Sequence, residues 1–162
     1  MKNIHKFMIK YRKFKNSDIP QVCELILATY KKFNHKKNSP KMLEKYLDCY
    51  SPKRNSLAEL KTYFAKAPIH YLALDGKKII GTVRGRADRL VNLYVDGRYH
   101  KQGIGRNLVI QFEKEAKKLR PKKIKINASI FAVRFYQKLG FKKSTGQRKI
   151  FDLLTQPMIK RF

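Results

Sequence analysis

The stretch His100-Lys101-Gln102-Gly103-Ile104-Gly105-Arg106 decides how this chain is read. An apolar, strand-like segment from Leu90 to Val95 runs into it, and an apolar-periodic helix from Ile104 to Leu119 leaves it. Two glycines in a strand-to-helix turn let the backbone approach a ligand, because no Cβ stands in the way. The first N–H groups of such a helix lack intrahelical partners, and the helix dipole favours an anion there. With basic residues on both sides of the turn, the expected ligand carries phosphate.

Upstream of the turn, Met8 to Phe14 alternates apolar and basic residues and reads as a strand. Ser17 or Asp18 caps a helix with Pro20 in its first turn and Ile19, Val22, Ile26, Thr29 and Phe33 on one face. A polar break from Asn34 to Pro40 precedes a second helix, Lys41 to Tyr50, presenting Leu43, Tyr46, Leu47 and Tyr50 inward. Ser56 caps a third helical piece carrying Leu57, Leu60 and Phe64. The period then changes to two. Ile69 to Leu74, the Asp75-Gly76 turn and Lys78 to Arg86 predict a β-hairpin, and Leu90 to Val95 extends it to a meander.

Downstream, Ile104, Leu108, Phe112, Ala116 and Leu119 form the buried stripe of the helix, which Pro121 ends. Lys123 to Ala128 reads as a strand with Ile124 and Ile126 on one face. A short helix bearing Ala132, Phe135, Tyr136 and Leu139 stops at Gly140. Phe141 to Lys143 and Ile150 to Ile159 close the chain as a strand pair.

Residues 1–162 are expected to form one domain, for no repeat or low-complexity linker divides them. At 43% hydrophobic residues the composition is that of a folded chain, and no apolar run reaches membrane-span length, so no membrane partner is expected. The basic N-terminus lacks the apolar core of a signal peptide, which makes a cytoplasmic protein the expectation. Cys23 and Cys49 have no metal-ligand spacing and read as buried reduced thiols; no metal is expected. The net charge of +28 attracts nucleic acid non-specifically, but it is spread along the chain and no specific nucleic-acid motif accompanies it. A dinucleotide fold would want a third glycine where Leu108 stands, and a triphosphatase loop would want Lys-Ser/Thr where Arg106-Asn107 follows Gly105.

The order of elements, together with two motifs, resembles the GNAT superfamily of acyl-CoA-dependent N-acyltransferases. The first motif is the family's Arg/Gln-x-x-Gly-x-Gly/Ala turn, here His100-Lys101-Gln102-Gly103-Ile104-Gly105. The second is Asn127-Ala128-Ser129, then Ala132, then Phe135-Tyr136-x-x-Leu139-Gly140-Phe141, similar to the family's Tyr-x-x-x-Gly-Phe ending. Pro157-Met158 is also a common family ending. The likeness is strong from Ile79 to Phe141 and architectural before it. It implies an α/β (α+β) domain with a mixed, mostly antiparallel sheet of six to seven strands flanked by helices.

The resemblance implies acetyl-CoA as acyl donor, held where the strands at Leu90 to Val95 and Lys123 to Ala128 splay. Backbone groups of Leu93, Tyr94 and Val95 would pair with the pantetheine arm, and one such N–H would polarise the thioester carbonyl. The pyrophosphate would lie on the amides of Gln102, Gly103, Ile104, Gly105, Arg106 and Asn107. Asn127 would bond the cofactor's amide region. His100 departs from the family's Arg or Gln: it is either a weaker phosphate donor or an exposed loop histidine, with Lys101, Arg98 and Arg106 supplying charge.

Tyr136 is the expected catalytic acid. A departing thiolate has a pKa of roughly 8.5 and a tyrosine about 10, so the phenol is protonated at neutral pH and can donate. The other reading makes Tyr136 a core aromatic. For the base, Asp88, Asp96, Glu44 and Asp48 are candidates beside ordered water, while His70 reads as structural. The acceptor implied is a primary amine of a small molecule or protein, attacking directly. Alternatives are a basic nucleic-acid-associated module and a non-catalytic acyl-CoA-binding regulator. The protein is expected as monomer or homodimer.

Overall fold

The computed structural model describes residues 8–34, 40–150 and 153–162. The polar break at 35–39, the Leu43 side chain and residues 151–152 of the closing strands lie outside them. Strand β1 (Lys10–Lys13) leads through a short 3-10 turn at Asn16–Asp18 into α1 (Ile19–Asn34). The entry is fixed by Asp18, which takes both guanidinium nitrogens of Arg12 at 2.7 and 2.8 Å and the Lys15 N–H at 2.8 Å. Helices α2 (Pro40–Asp48) and α3 (Leu57–Ala65) follow. Ser56 and Glu59 form the capping box of α3, each side chain taking the other's backbone N–H.

The hairpin β2 (Ile69–Asp75) and β3 (Lys78–Arg86) turns at Gly76, and β4 (Arg89–Val95) completes the meander. Helix α4 (Ile104–Lys117), β5 (Lys123–Ser129), α5 (Val133–Lys138) and three closing strands complete the order: β6 (Lys142–Lys143), β7 (Arg148–Ile150) and β8 (Leu153–Arg161). The sheet runs β1-β2-β3-β4-β5-β8-β6, with β7 also on β8; every pairing is antiparallel except β4–β5. The described residues thus form eight strands. The eighth arises because the expected Ile150 to Ile159 strand belongs to a hairpin, β7 folding back on β8.

Each sheet face carries its own core. One packs Ile80, Val83, Leu90, Ile124 and Ile126 under Leu108, Phe112 and Ala116 of α4 and Tyr136 of α5. The other packs Leu72, Leu74 and Ile79 against Val22 and Ile26 of α1, Tyr50, and Leu60 and Phe64 of α3. Lys160 of β8 also reaches both carboxylate oxygens of Glu113 on α4 at 2.8 Å.

Four expectations about burial change. Leu119 is 65% exposed, because α4 ends at Lys117 and the chain reverses through Arg120 at φ +52° before Pro121. Leu57 sits at the first position of α3 and is exposed, as is Phe33 at the end of α1. Cys23 is buried, but Cys49 lies in the turn after α2 and is exposed.

Candidate functional site: a cleft between two parting strands

Strands β4 and β5 are in register at one position only, Arg89 opposite Lys125, where the Lys125 N–H also meets the Asp88 carbonyl at 2.8 Å. Beyond it they separate. β4 takes up one extra residue against β3, since Gly85 faces Leu90 and Arg84 faces Asn92. Such a bulge bends its strand and increases local twist. A cleft of about 970 Å³ opens along the separation, lined by Leu93, Tyr94 and Val95 on one side and Asn127, Ala128 and Ser129 on the other.

The glycine turn closes one end of this cleft. Lys101 at φ +60° and Gly103 at φ +79° are both left-handed, and Gly103 is the residue preceding α4, with no side-chain cap. A Cβ at Gly103 would be strained by this φ although the space beside it is open. The Asn107 N–H makes the first intrahelical bond, to the Gly103 carbonyl at 3.0 Å, so the amides of Ile104, Gly105 and Arg106 are the uncapped ones. Lys101, Gly103, Ile104, Gly105 and Arg106 all line the cleft.

Not every residue of the motif faces it. Gln102 turns away and donates to the Arg98 carbonyl at 3.3 Å, while Asn107 donates its side-chain amide to the Tyr11 hydroxyl at 3.2 Å. His100 lines the cleft, but its Nε2 lies 2.8 Å from the Val95 carbonyl and its ring stacks on Phe33 at 4.9 Å. A carbonyl only accepts, so Nε2 is the donor and the neutral ring has no second N–H to offer. Arg98 is drawn off by Asp96, through Nη2 at 2.7 Å and Nε at 3.1 Å.

Tyr136 lines the opposite wall, 5% exposed, with edge contacts to Phe135 at 5.0 Å and Phe141 at 5.6 Å. Its hydroxyl bonds no described residue, and burial pushes its pKa well above that of a free phenol. Asn127 reaches the cleft from β5, its Oδ1 accepting from Arg148 at 3.1 Å and its amide nitrogen left over.

No aspartate or glutamate lines the cleft among the described residues. Asp96 binds the turn after β4, and its hydrogen bonds with Arg98 hold its pKa down at about 2. Glu44 and Asp48 pair with Arg54 at 2.9 and 3.0 Å on the outer side of α2. Asp88 is exposed in the β3–β4 turn. His70 is buried between Phe14 and Phe64, its Nε2 2.8 Å from the Thr82 hydroxyl, and desolvation lowers its pKa to about 3.

The second half of the cleft is aromatic. Tyr30, Tyr46 and Tyr63 come from the three N-terminal helices and Tyr50 from the turn after α2, and they meet Asn92 and Tyr94 of β4. Sequence periodicity marks Tyr46 and Tyr50 as inward-facing, and that is equally true of a core. Nothing in the pattern distinguishes a cavity wall from packed interior, because both demand the same helical face.

Comparison with known proteins agrees with this geometry. A family model described as an acetyltransferase (GNAT) domain matches residues 29–162. No curated protein matches the chain. Among solved structures, the PaiA N-acetyltransferase of Thermoplasma acidophilum in complex with coenzyme A superposes with a TM-score of 0.78 at 20% identity, over 95% of this chain and 99% of that one. A GCN5-related N-acetyltransferase from Rhodopseudomonas palustris gives 0.78 at 18% identity, over 94% and 95%. The NatC complex bound to Gag peptide and CoA gives 0.66 at 16% identity, over 95% and 98%. At these identities the superpositions speak for the fold, and the family match covers most of the sequence. With its parted strands, uncapped helix and glycine turn, the chain belongs to the GNAT acetyltransferase family.

Proposed function

We propose that this protein transfers the acetyl group of acetyl-CoA to a primary amine by direct attack within the cleft. The observation that carries the reading is the convergence of three features on one cavity: the uncapped N-terminus of α4, the unpaired edge of β4, and the Tyr136 hydroxyl, which bonds no described residue. The residues suit such a donor. Backbone amides at Ile104, Gly105 and Arg106, with Lys101 and Arg106 beside them, are a setting for a pyrophosphate. On its cleft side, β4 from Leu93 to Val95 faces no described strand and can accept an extended amide-bearing arm as an added strand. Asn127 lines the same space, and its amide nitrogen has no partner among the described residues.

Acetyl-CoA supplies an acyl group activated as a thioester. The chain's own work is positional and protonic. A β4 N–H directed into the cleft stabilises negative charge developing on a carbonyl oxygen there. Tyr136 stays neutral because burial disfavours its phenolate, so it keeps a proton to donate to a thiolate. With no carboxylate among the described lining residues, the amine's proton leaves to water at the open end of the cleft. We place the activity in the cytoplasm, in one catalytic domain spanning the chain.

The test is free-thiol release from acetyl-CoA over an amine panel, beside a thermal shift with acetyl-CoA. Ligand at 100 times its dissociation constant should stabilise the fold by about 2.7 kcal/mol. A shift without thiol release points to a binding regulator. Absence of both, with salt-dependent nucleic-acid binding, points to a nucleic-acid module.

A further inference from the structure

The tyrosine wall has a definite hydrogen-bond direction. Tyr63 donates its hydroxyl to Tyr50 at 3.4 Å, Tyr50 donates to Asn92 Oδ1 at 3.1 Å, and Asn92 Nδ2 donates to the Tyr46 hydroxyl at 3.2 Å. The Tyr46 and Tyr94 hydroxyl oxygens lie 2.5 Å apart. Each phenol has one proton. One proton suffices between Tyr46 and Tyr94, and beyond the neighbouring Tyr50 hydroxyl the second meets no acceptor among the described residues. This half of the cleft therefore holds a surplus donor.

Arg84 stands behind the same wall. It faces Asn92 in the β3–β4 register and is 3% exposed. Its Nη1 donates to the Tyr63 carbonyl at 3.3 Å, and its Nε has no partner among the described residues. No carboxylate among the described residues lies within ion-pair distance of it. A buried guanidinium with a single hydrogen bond and no counter-ion is costly unless something else supplies negative charge.

Phenol rings can also attract cations, so the ring faces matter. Here three of the rings are already engaged. The Arg84 guanidinium already lies 4.9 Å over Tyr63, and Tyr30 and Tyr46 stack on each other at 4.2 Å. What the wall leaves unmet is a spare O–H and a buried positive charge, with no described acid to balance them.

Resting on the acetyltransferase reading above, we infer that the acceptor is an amine that carries its own carboxylate, held by hydrogen bonds from the phenol wall in the field of Arg84. The amine end then faces the parted strands. A polyamine or a lysine-rich segment meets the reverse conditions, like charge and no acid among the described lining residues to bind a second ammonium.

The experiment measures kcat/KM by thiol release for matched acceptors on an aromatic, a linear and an α-amino-acid scaffold. On the aromatic scaffold these are 4-(aminomethyl)benzoate, its benzamide and 4-methylbenzylamine; spermidine is the cationic arm. The acid should exceed its neutral partners by at least about tenfold on one scaffold or more, the size of a charge-assisted hydrogen bond. In Arg84→Met the ratio of acid to neutral amine should fall toward one, read on protein that still gives an acetyl-CoA thermal shift. The wild-type ratio alone carries the test if that variant does not fold. Neutral amines or spermidine matching or beating the acids on every scaffold overturns the inference and leaves amine acetylation standing. Acetyl-CoA binding without thiol release to any amine overturns the transfer reading and this inference with it.

Discussion

Arg89 and Lys125 are the one pair of positions that joins β4 to β5, and everything proposed for this protein happens on the open side of that pair. A longer parallel ladder would have satisfied the backbone groups of Leu93 to Val95 within the sheet. The bulge in β4 just beyond Leu90 turns the strand instead, and its edge is left to a cleft. Family membership makes the chain an acyltransferase by fold, and the proposed acyl site lies where the strands part.

Tyr136→Phe should lower kcat by about 10²-fold or more while leaving the acetyl-CoA thermal shift close to wild type. The hydroxyl makes no hydrogen bond to the described residues, so its removal unbalances nothing inside the fold, and the ring keeps its edges against Phe135 and Phe141. Steady-state kinetics beside thermal shift separates the two effects. Wild-type turnover in the variant removes Tyr136 as the acid and leaves it a core aromatic.

Gly105 should show stability and function moving in opposite directions. It is the second residue of α4, in the first turn, where alanine gains up to about 1 kcal/mol of helix propensity. An added Cβ would come 3.4 Å from the Phe135 ring and 3.8 Å from Val95, ordinary contact that the fold tolerates. The same Cβ intrudes where the proposed pyrophosphate nears the helix amides. Gly105→Ala should therefore keep or raise Tm and weaken acetyl-CoA binding. Unchanged affinity would move the phosphates away from this turn.

The glycine turn, the meander and the Asn127–Tyr136 segment were legible because each is local: a few residues fix the backbone through their own φ preferences and period. The acceptor wall was not. Tyr46 touches Tyr94 across 48 positions and Asn92 across 46, and Arg84 meets Tyr63 across 21. Helix periodicity says only that Tyr46 and Tyr50 face inward. His100 shows the same limit from the other side. Its place in the motif leaves a phosphate donor and an exposed loop histidine both open, and only the fold sets the Val95 carbonyl 2.8 Å from its ring nitrogen. Leu119 and Leu57 kept the correct period but fell at helix ends, where the face no longer has anything to pack on.

Gly85→Ala should be among the most damaging single substitutions in the chain. A Cβ there would lie 2.3 Å from the Arg89 carbonyl and 2.7 Å from the Phe112 ring, so both the turn into β4 and the α4 packing must shift. Overpacking of a filled core costs about 1–3 kcal/mol, and a backbone clash adds to it. Chemical denaturation should show the loss. A variant within about 0.5 kcal/mol of wild type would mean that the β3–β4 turn is more pliable than its packing implies.

His70 predicts an acid-sensitive fold. Its imidazole is buried neutral, with a pKa near 3 in the folded chain against about 6.5 when unfolded. Between those values the unfolded chain binds a proton that the native chain refuses, so stability rises with pH across that window and is fully present above it. The slope is about 1.4 kcal/mol per pH unit, or about 2 kcal/mol between pH 6.5 and 5. Asp18 does not confuse the reading. Its hydrogen bond with Arg12 depresses its pKa, so its contribution is held above the ordinary carboxylate range and lost only at lower pH. His70→Phe keeps a flat ring between Phe14 and Phe64 but leaves the Thr82 hydroxyl without its partner, costing about 1–3 kcal/mol at pH 7. Urea denaturation at pH 7 and pH 5 should therefore find the variant weaker than wild type at neutrality and much flatter with pH. A wild-type slope retained in the variant would assign the acid sensitivity to another group.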